Sequence, residues 1–220
     1  DIEFMSTPFD EQAVDELVNL GVKRLKIAGF ESTDWRFVDM VASTGLPLII
    51  SIGIGFDLIK IGYILDIVEK YSNDLTLLHC NNAYPTPIED INLNSMTTLH
   101  GFKHVNAIGL SDHTESTLTP SLAVAMGATV IEKHFTLDNN LPGPDHAFAL
   151  EPRELKEMVD NIRSTETMLG GNKEGYSKSE LNFTKARRSI VAKSNIKVGE
   201  ILTIDNITTK RPYLKGNVAA

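Results

Sequence analysis

Short runs of apolar, β-prone residues alternate along this chain with longer stretches in which apolar positions recur at helical spacing. The runs occupy residues 2–8 (IEFMSTP), 24–29 (RLKIAG), 46–53 (LPLIISIG), 75–81 (LTLLHCN), 106–112 (NAIGLSD) and 129–135 (TVIEKHF), with centres roughly 22 to 32 residues apart. That spacing leaves room for a strand, a helix and two loops. LPLIIS and LTLLHC are apolar almost without interruption, as strands covered on both faces must be. Between the runs, residues 11–20 place Val14, Leu17 and Leu20 on one helical face ahead of Gly21, and comparable segments cover 34–44, 57–70, 117–126 and 151–169. Six strand-and-helix units in series fit a doubly wound sheet or a (β/α)8 barrel.

The polar residues separate these two. Ser6 and Thr7, Ser51, Asn81 and Asn82, Ser111 to His113, and Glu132 to His134 all fall at or near the C-terminal ends of the expected strands. A barrel assembles its site from many strand ends at one rim, whereas a doubly wound sheet uses one crevice. The distribution therefore predicts an α/β fold of the TIM-barrel type over residues 1–170. Residues 171–181 read as a polar, flexible linker, and residues 182–220 as the start of a second small β-rich domain. The chain opens with Asp1 inside an apolar run, so coding sequence is expected upstream, and the second domain is expected to be truncated.

Composition adds exclusions. A formal net charge of -8 argues against nucleic-acid or anionic-membrane partners, since both need a basic face. With no apolar run of membrane-spanning length and no signal-peptide order at the N-terminus, a cytoplasmic location is expected. The one cysteine, Cys80, cannot close an internal disulfide and reads as a small core residue.

Against that acidic background the candidate chemistry is local. His113 and His134 lie near the ends of adjacent expected strands, where two imidazoles can converge on one divalent ion and leave open positions for water or substrate. One hydrogen-bonded interior histidine and one loop histidine fit the pattern equally well. Lys26, in the middle of an apolar strand, needs an anionic partner if it faces inward; facing outward, it would snorkel along the helix layer. The loop NNAYPTP (81–87) offers amides and a phenol suited to a polyhydroxylated, amide-bearing ligand, and LPGPDH (141–146) is a rigid turn able to present Asp145 to a hydroxyl. Plain turns account for both loops as readily.

Taken in order, STPF (6–9), LLHCNNAYPTP (77–87), GLSDHT (109–114), GATVIEKHFTLD (127–138) and PGPDH (142–146) resemble the N-acetylneuraminate (sialic acid) synthase family across essentially the whole chain. The resemblance implies a (β/α)8 barrel, here lacking its first two strands, followed by an antifreeze-like (SAF) domain that caps the barrel of a partner subunit in a domain-swapped homodimer. It implies a metal-dependent condensation of phosphoenolpyruvate with N-acetylmannosamine or a related N-acyl amino sugar, yielding a nonulosonic acid and phosphate. Residue by residue, it implies that His113 and His134 hold Mn²⁺, with Mg²⁺ or Co²⁺ as alternatives, and that Glu132 stands near the reacting atoms. Asn82, Tyr84 and Asp145 match sugar contacts; Lys26, Thr7, Ser51 and Ser111 match phosphoenolpyruvate contacts; Arg211 matches an arginine that reaches in from the partner. Two departures fall on the phosphoenolpyruvate side. Gly29 stands where the family has a phosphate-binding serine, and Ile52 stands where it has threonine. A metal-dependent aldolase or sugar isomerase on the same barrel, or an inactive sugar-binding fragment, remains the alternative.

Overall fold

The computed structural model describes residues 2–55, 57–71, 74–214, 216 and 218. It divides into two units, residues 1–169 and 170–220.

In the first unit, β1 (Leu25–Ile27), β2 (Leu48–Ile52), β3 (Leu75–Cys80), β4 (Ala107–Asp112) and β5 (Val130–Lys133) form one parallel sheet whose neighbours follow chain order. Among the described residues no strand order reverses and no switch crevice forms, so the sheet is of barrel type. α1 (Glu11–Leu20) precedes β1; the helices between strands are α2 (Trp35–Ala42), α3 (Leu58–Glu69), the one-turn α4 (Met96–Leu99) and α5 (Thr119–Ala125), and α6 (Pro152–Leu169) closes the unit. Asp10, Asp34 and Asp57 cap α1, α2 and α3, each carboxylate accepting a first-turn amide, and Gly21 ends α1 at φ 77. Val14 and Leu17 are buried as the helical pattern requires, but Leu20, expected on the same face, is 72% exposed.

Strand alternation splits the wall. Leu25, Ile27, Leu48, Ile50, Ile52, Leu75, Leu77, Ile108 and Leu110 pack into the cluster that also holds Val38, Val41, Ile61, Ile64 and Val68 from α2 and α3. Lys26, Ser51, Cys80, Ser111 and Glu132 occupy the opposite parity. Every residue of β2 and β3 is buried, as two covered faces demand. Gly109 permits the approach of β4 to β5, since a Cβ there would lie 2.1 Å from the Val130 carbonyl oxygen.

Two expectations are corrected. Residues 2–8 make no ladder and lie outside the sheet, so five strands form where six were expected; Ile2 is 98% exposed and the segment is tied to β1's approach by Arg24 Nε and Glu3 Oε1 at 2.7 Å. β-propensity expresses fit to a pleated, half-buried surface, and the first part of this run, Ile2 to Phe4, is exposed. The flexible linker is also partly ordered: Ser177 and Glu180 form a reciprocal capping box that starts a 3-10 run at Lys178–Ala186. In this second unit β6 (Ser189–Ala192) pairs antiparallel with β7 (Ile207–Lys210).

Candidate active site

The inward residues and the loops just beyond the strands line a cavity of about 550 Å³, bordered by Thr7, Lys26, Ser51, Tyr84, Ser111, Glu132, His113, His134 and Asp145. Nine of the residues singled out in the sequence thus meet in one cavity at the C-terminal strand ends.

Its floor is a charged cluster. Parallel register sets Ser111 beside Glu132, and the Ser111 hydroxyl donates to Glu132 Oε1 at 2.5 Å; Lys26 Nζ stands 3.5 Å from Glu132 Oε2. Lys26 therefore faces inward and is paired. Its ammonium also donates to the Ile27 carbonyl, and burial lowers its pKa, opposed by the Glu132 charge. The Ser51 hydroxyl is buried without a hydrogen-bond partner. Cys80 borders the cavity, but burial pushes its thiol up to about 11, where it is no nucleophile at neutral pH.

Above the floor the imidazoles of His113 and His134 lie with ring centroids 5.2 Å apart. Each follows directly on the last residue of its strand, so adjacent parallel strands deliver both rings to the same rim. His113 Nδ1 is 2.6 Å from the Asn81 carbonyl, which can only accept; Nδ1 therefore carries the proton, and the lone pair of the neutral ring is on Nε2. Burial lowers the His113 pKa, partly offset by that carbonyl. A neutral, oriented imidazole is the ligating form, and His113 is held in it with Nε2 free to bind a divalent cation. Asp145 Oδ2 is 3.8 Å from His134 Nδ1. Among the described residues no group of three or more His, Cys, Asp or Glu side chains is arranged for a metal, so an ion between the two rings would complete its shell with water or substrate oxygen.

Tyr84 packs on His113 with centroids 4.0 Å apart, and Phe148 meets Tyr84 and His134 edge-on. Tyr84 is pushed up to about 12, chiefly by burial, so its phenol stays a donor. The other four histidines anchor loops. His79 bonds the Ile91 carbonyl, His100 the Met126 carbonyl and His146 the Thr136 hydroxyl, and His104 pairs with Glu69.

Asn82 does not border this cavity. Its amide lies against Gly29 and Gly53: a Cβ on Gly29 would be 2.6 Å from Asn82 Nδ2, and one on Gly53 would be 2.4 Å from Oδ1. The serine that the family resemblance expects at 29 is thus incompatible with Asn82 as it stands, and the two positions are coupled. Ile52 is only 4% exposed and packs in the helix-side cluster, so its departure does not touch the cavity. Arg211 belongs to the second unit, where its Nε donates to the Ala186 carbonyl.

Three features escaped sequence reading. Glu31 borders the cavity with one carboxylate oxygen buried and unpartnered. Its signal was a carboxylate four residues past the end of the Lys26 strand. Phe148 backs the Tyr84 and His134 rings from a segment with no strand or helix pattern to flag it. Asp112 and Lys133 form an ion pair 2.7 Å long with side chains 0% and 3% exposed.

Residues 1–174 match the NeuB family and residues 187–219 a SAF domain. Over 217 and 209 residues the chain aligns with synthases from two bacteria. It is 45% identical to the N,N'-diacetyllegionaminic acid synthase of Legionella pneumophila, covering 96% of this chain and 60% of that one. It is 40% identical to the pseudaminic acid synthase of Campylobacter jejuni, covering 94% of this chain and 60% of that one. The crystal structure of the N-acetylneuraminic acid (sialic acid) synthetase of Leptospira borgpetersenii superposes with a TM-score of 0.74 at 34% identity, over 82% of this chain and 62% of that one. The chain spans about 60% of the length of these relatives. Barrel-type sheet, cavity and family match agree, and this chain belongs to the NeuB family.

Proposed function

We propose that this chain is part of a synthase that condenses phosphoenolpyruvate with N-acetylmannosamine or a related N-acyl amino sugar, giving a nonulosonic acid and phosphate. The observation that carries the reading is the meeting in one cavity of two convergent imidazoles with a buried lysine and carboxylate. The names of the relatives, which make legionaminic, pseudaminic and sialic acids, support the reaction class and leave the sugar open.

In this reading Lys26, Ser51, Ser111 and Thr7 hold the carboxylate and phosphate of phosphoenolpyruvate, Lys26 supplying positive charge locally in a chain of net charge -8 and the three hydroxyls donating hydrogen bonds. Tyr84 and Asp145 orient the sugar and its N-acyl group, while Asn82, expected to share that role, stands outside the cavity with its amide against Gly29 and Gly53. Mn²⁺, Mg²⁺ or Co²⁺ between His113 and His134 would supply Lewis acidity at the aldehyde oxygen of the open-chain sugar. C3 of phosphoenolpyruvate bonds to the aldehyde carbon, water adds at C2, and phosphate leaves from C2. Glu132, steadied by Ser111 and Lys26, manages a proton beside the reacting atoms. Arg211 serves the cavity of a partner subunit in a homodimer, and the enzyme works in the cytoplasm. Among the described residues no helix is long and apolar enough to cross a membrane.

The test is an assay of the full-length protein with phosphoenolpyruvate and a panel of N-acyl and di-N-acyl amino sugars. Phosphate and a nine-carbon acid should appear together, in equal amounts, only when a sugar is present. Turnover of a sugar without phosphate release would favour an aldolase or isomerase instead.

A further inference from the structure

Each histidine of the candidate site directly follows one member of the buried ion pair: β4 ends in Asp112 before His113, and β5 ends in Lys133 before His134. Asp112 opposite Lys133 is also the last rung of the β4–β5 ladder. Both histidines lie beyond that rung, where backbone hydrogen bonding between the strands no longer sets their separation. The ion pair does what the ladder cannot. Lys133 Nζ reaches Asp112 Oδ2 at 2.7 Å, donates to the Thr114 carbonyl, and lies 3.4 Å from the Ser116 carbonyl. Asp112 Oδ1 in turn accepts the Thr114 amide at 2.9 Å. His113 is therefore held by a clamp on its successor, by the Asn81 carbonyl at its ring and by the Thr86 amide, which donates to its own carbonyl at 2.9 Å.

So dry a pair is a poor source of stability, because desolvating both charges offsets their attraction and apolar side chains of similar size serve as well. We propose that the Asp112–Lys133 ion pair is a positioning device that fixes the spacing of His113 and His134, and through it the affinity of the site for a divalent cation. The inference rests on the reading of these histidines as metal ligands.

The test compares Mn²⁺ binding, by titration calorimetry, with the thermal midpoint of the metal-free full-length protein. The double variant Asp112→Leu/Lys133→Met should keep its midpoint to within about 3 °C while binding Mn²⁺ about 10- to 100-fold more weakly. A purely structural pair would let affinity recover along with stability, so wild-type Mn²⁺ affinity in this variant overturns the proposal. If the double variant does not fold, Lys133→Arg carries the test, since it keeps the charge but not the reach: about tenfold weaker Mn²⁺ binding supports the proposal, and unchanged binding overturns it. A wild-type protein that binds no Mn²⁺ sinks the ligand reading instead. The ring separation in a crystal structure of Lys133→Arg then decides the clamp: a change of about 1 Å or more supports it, and retention of 5.2 Å overturns it.

Discussion

Ser111 and Glu132, neighbours in register across β4 and β5, share a hydrogen bond of 2.5 Å that turns one Glu132 oxygen away from Lys26 and leaves the other 3.5 Å from it. The carboxylate is thereby fixed between two strands. Ser111→Ala should loosen it and leave an acceptor under-satisfied in a half-buried site, at about 1 kcal/mol of stability. In phosphate-release kinetics kcat should fall about tenfold or more, with the sugar KM little changed, because positioning rather than binding is lost.

Lys26 predicts a pH signature. Burial lowers its pKa in the folded state, so between that value and the unfolded 10.5 the unfolded chain binds more protons and stability rises with pH. Denaturant unfolding of wild type and Lys26→Met should show the difference in stability shifting toward the wild type as pH climbs toward 10. Inorganic phosphate should raise the wild-type midpoint and not that of Lys26→Met, since the anion adds a second negative partner to an ammonium that Glu132 meets only at 3.5 Å.

Gly29 and Asn82 should behave as a coupled pair. Gly29→Ser forces a side chain into the Asn82 amide and should cost about 1 to 3 kcal/mol, whereas Gly29→Ser/Asn82→Ala should recover most of it. A double-mutant cycle by urea unfolding measures the coupling; additive costs would mean that the amide is not the obstacle.

Ile52→Thr restores the family residue at a position packed against the helices. Burying a hydroxyl there should cost about 1 to 2 kcal/mol while leaving the phosphoenolpyruvate KM unchanged. The same steady-state assay and a denaturation curve check both halves.

Much of this site was legible because strand parity is rigid. Once Lys26, Ser51, Ser111 and Glu132 are set on strands, period-2 alternation puts them on one face, and a residue following each strand joins the same rim. What alternation hides is pairing across strands. Asp112 and Lys133 looked like polar companions of the histidines, and only the register that sets them opposite each other makes them a buried pair. Residues 2–8 failed as a strand for a related reason: composition describes a surface's preference, and a ladder needs a partner as well. Asn82 matched the sugar-contacting pattern, yet whether its amide points into the cavity or against Gly29 and Gly53 depends on a loop path that spacing does not encode.

The central claim is that His113 and His134 act together at one rim. Phosphate release from phosphoenolpyruvate, dependent on both an N-acyl amino sugar and Mn²⁺, should be measured in the full-length wild type and in folded His134→Ala. The account predicts a loss of about 100-fold or more in the variant; condensation that stays undiminished and metal-dependent without that imidazole would contradict it.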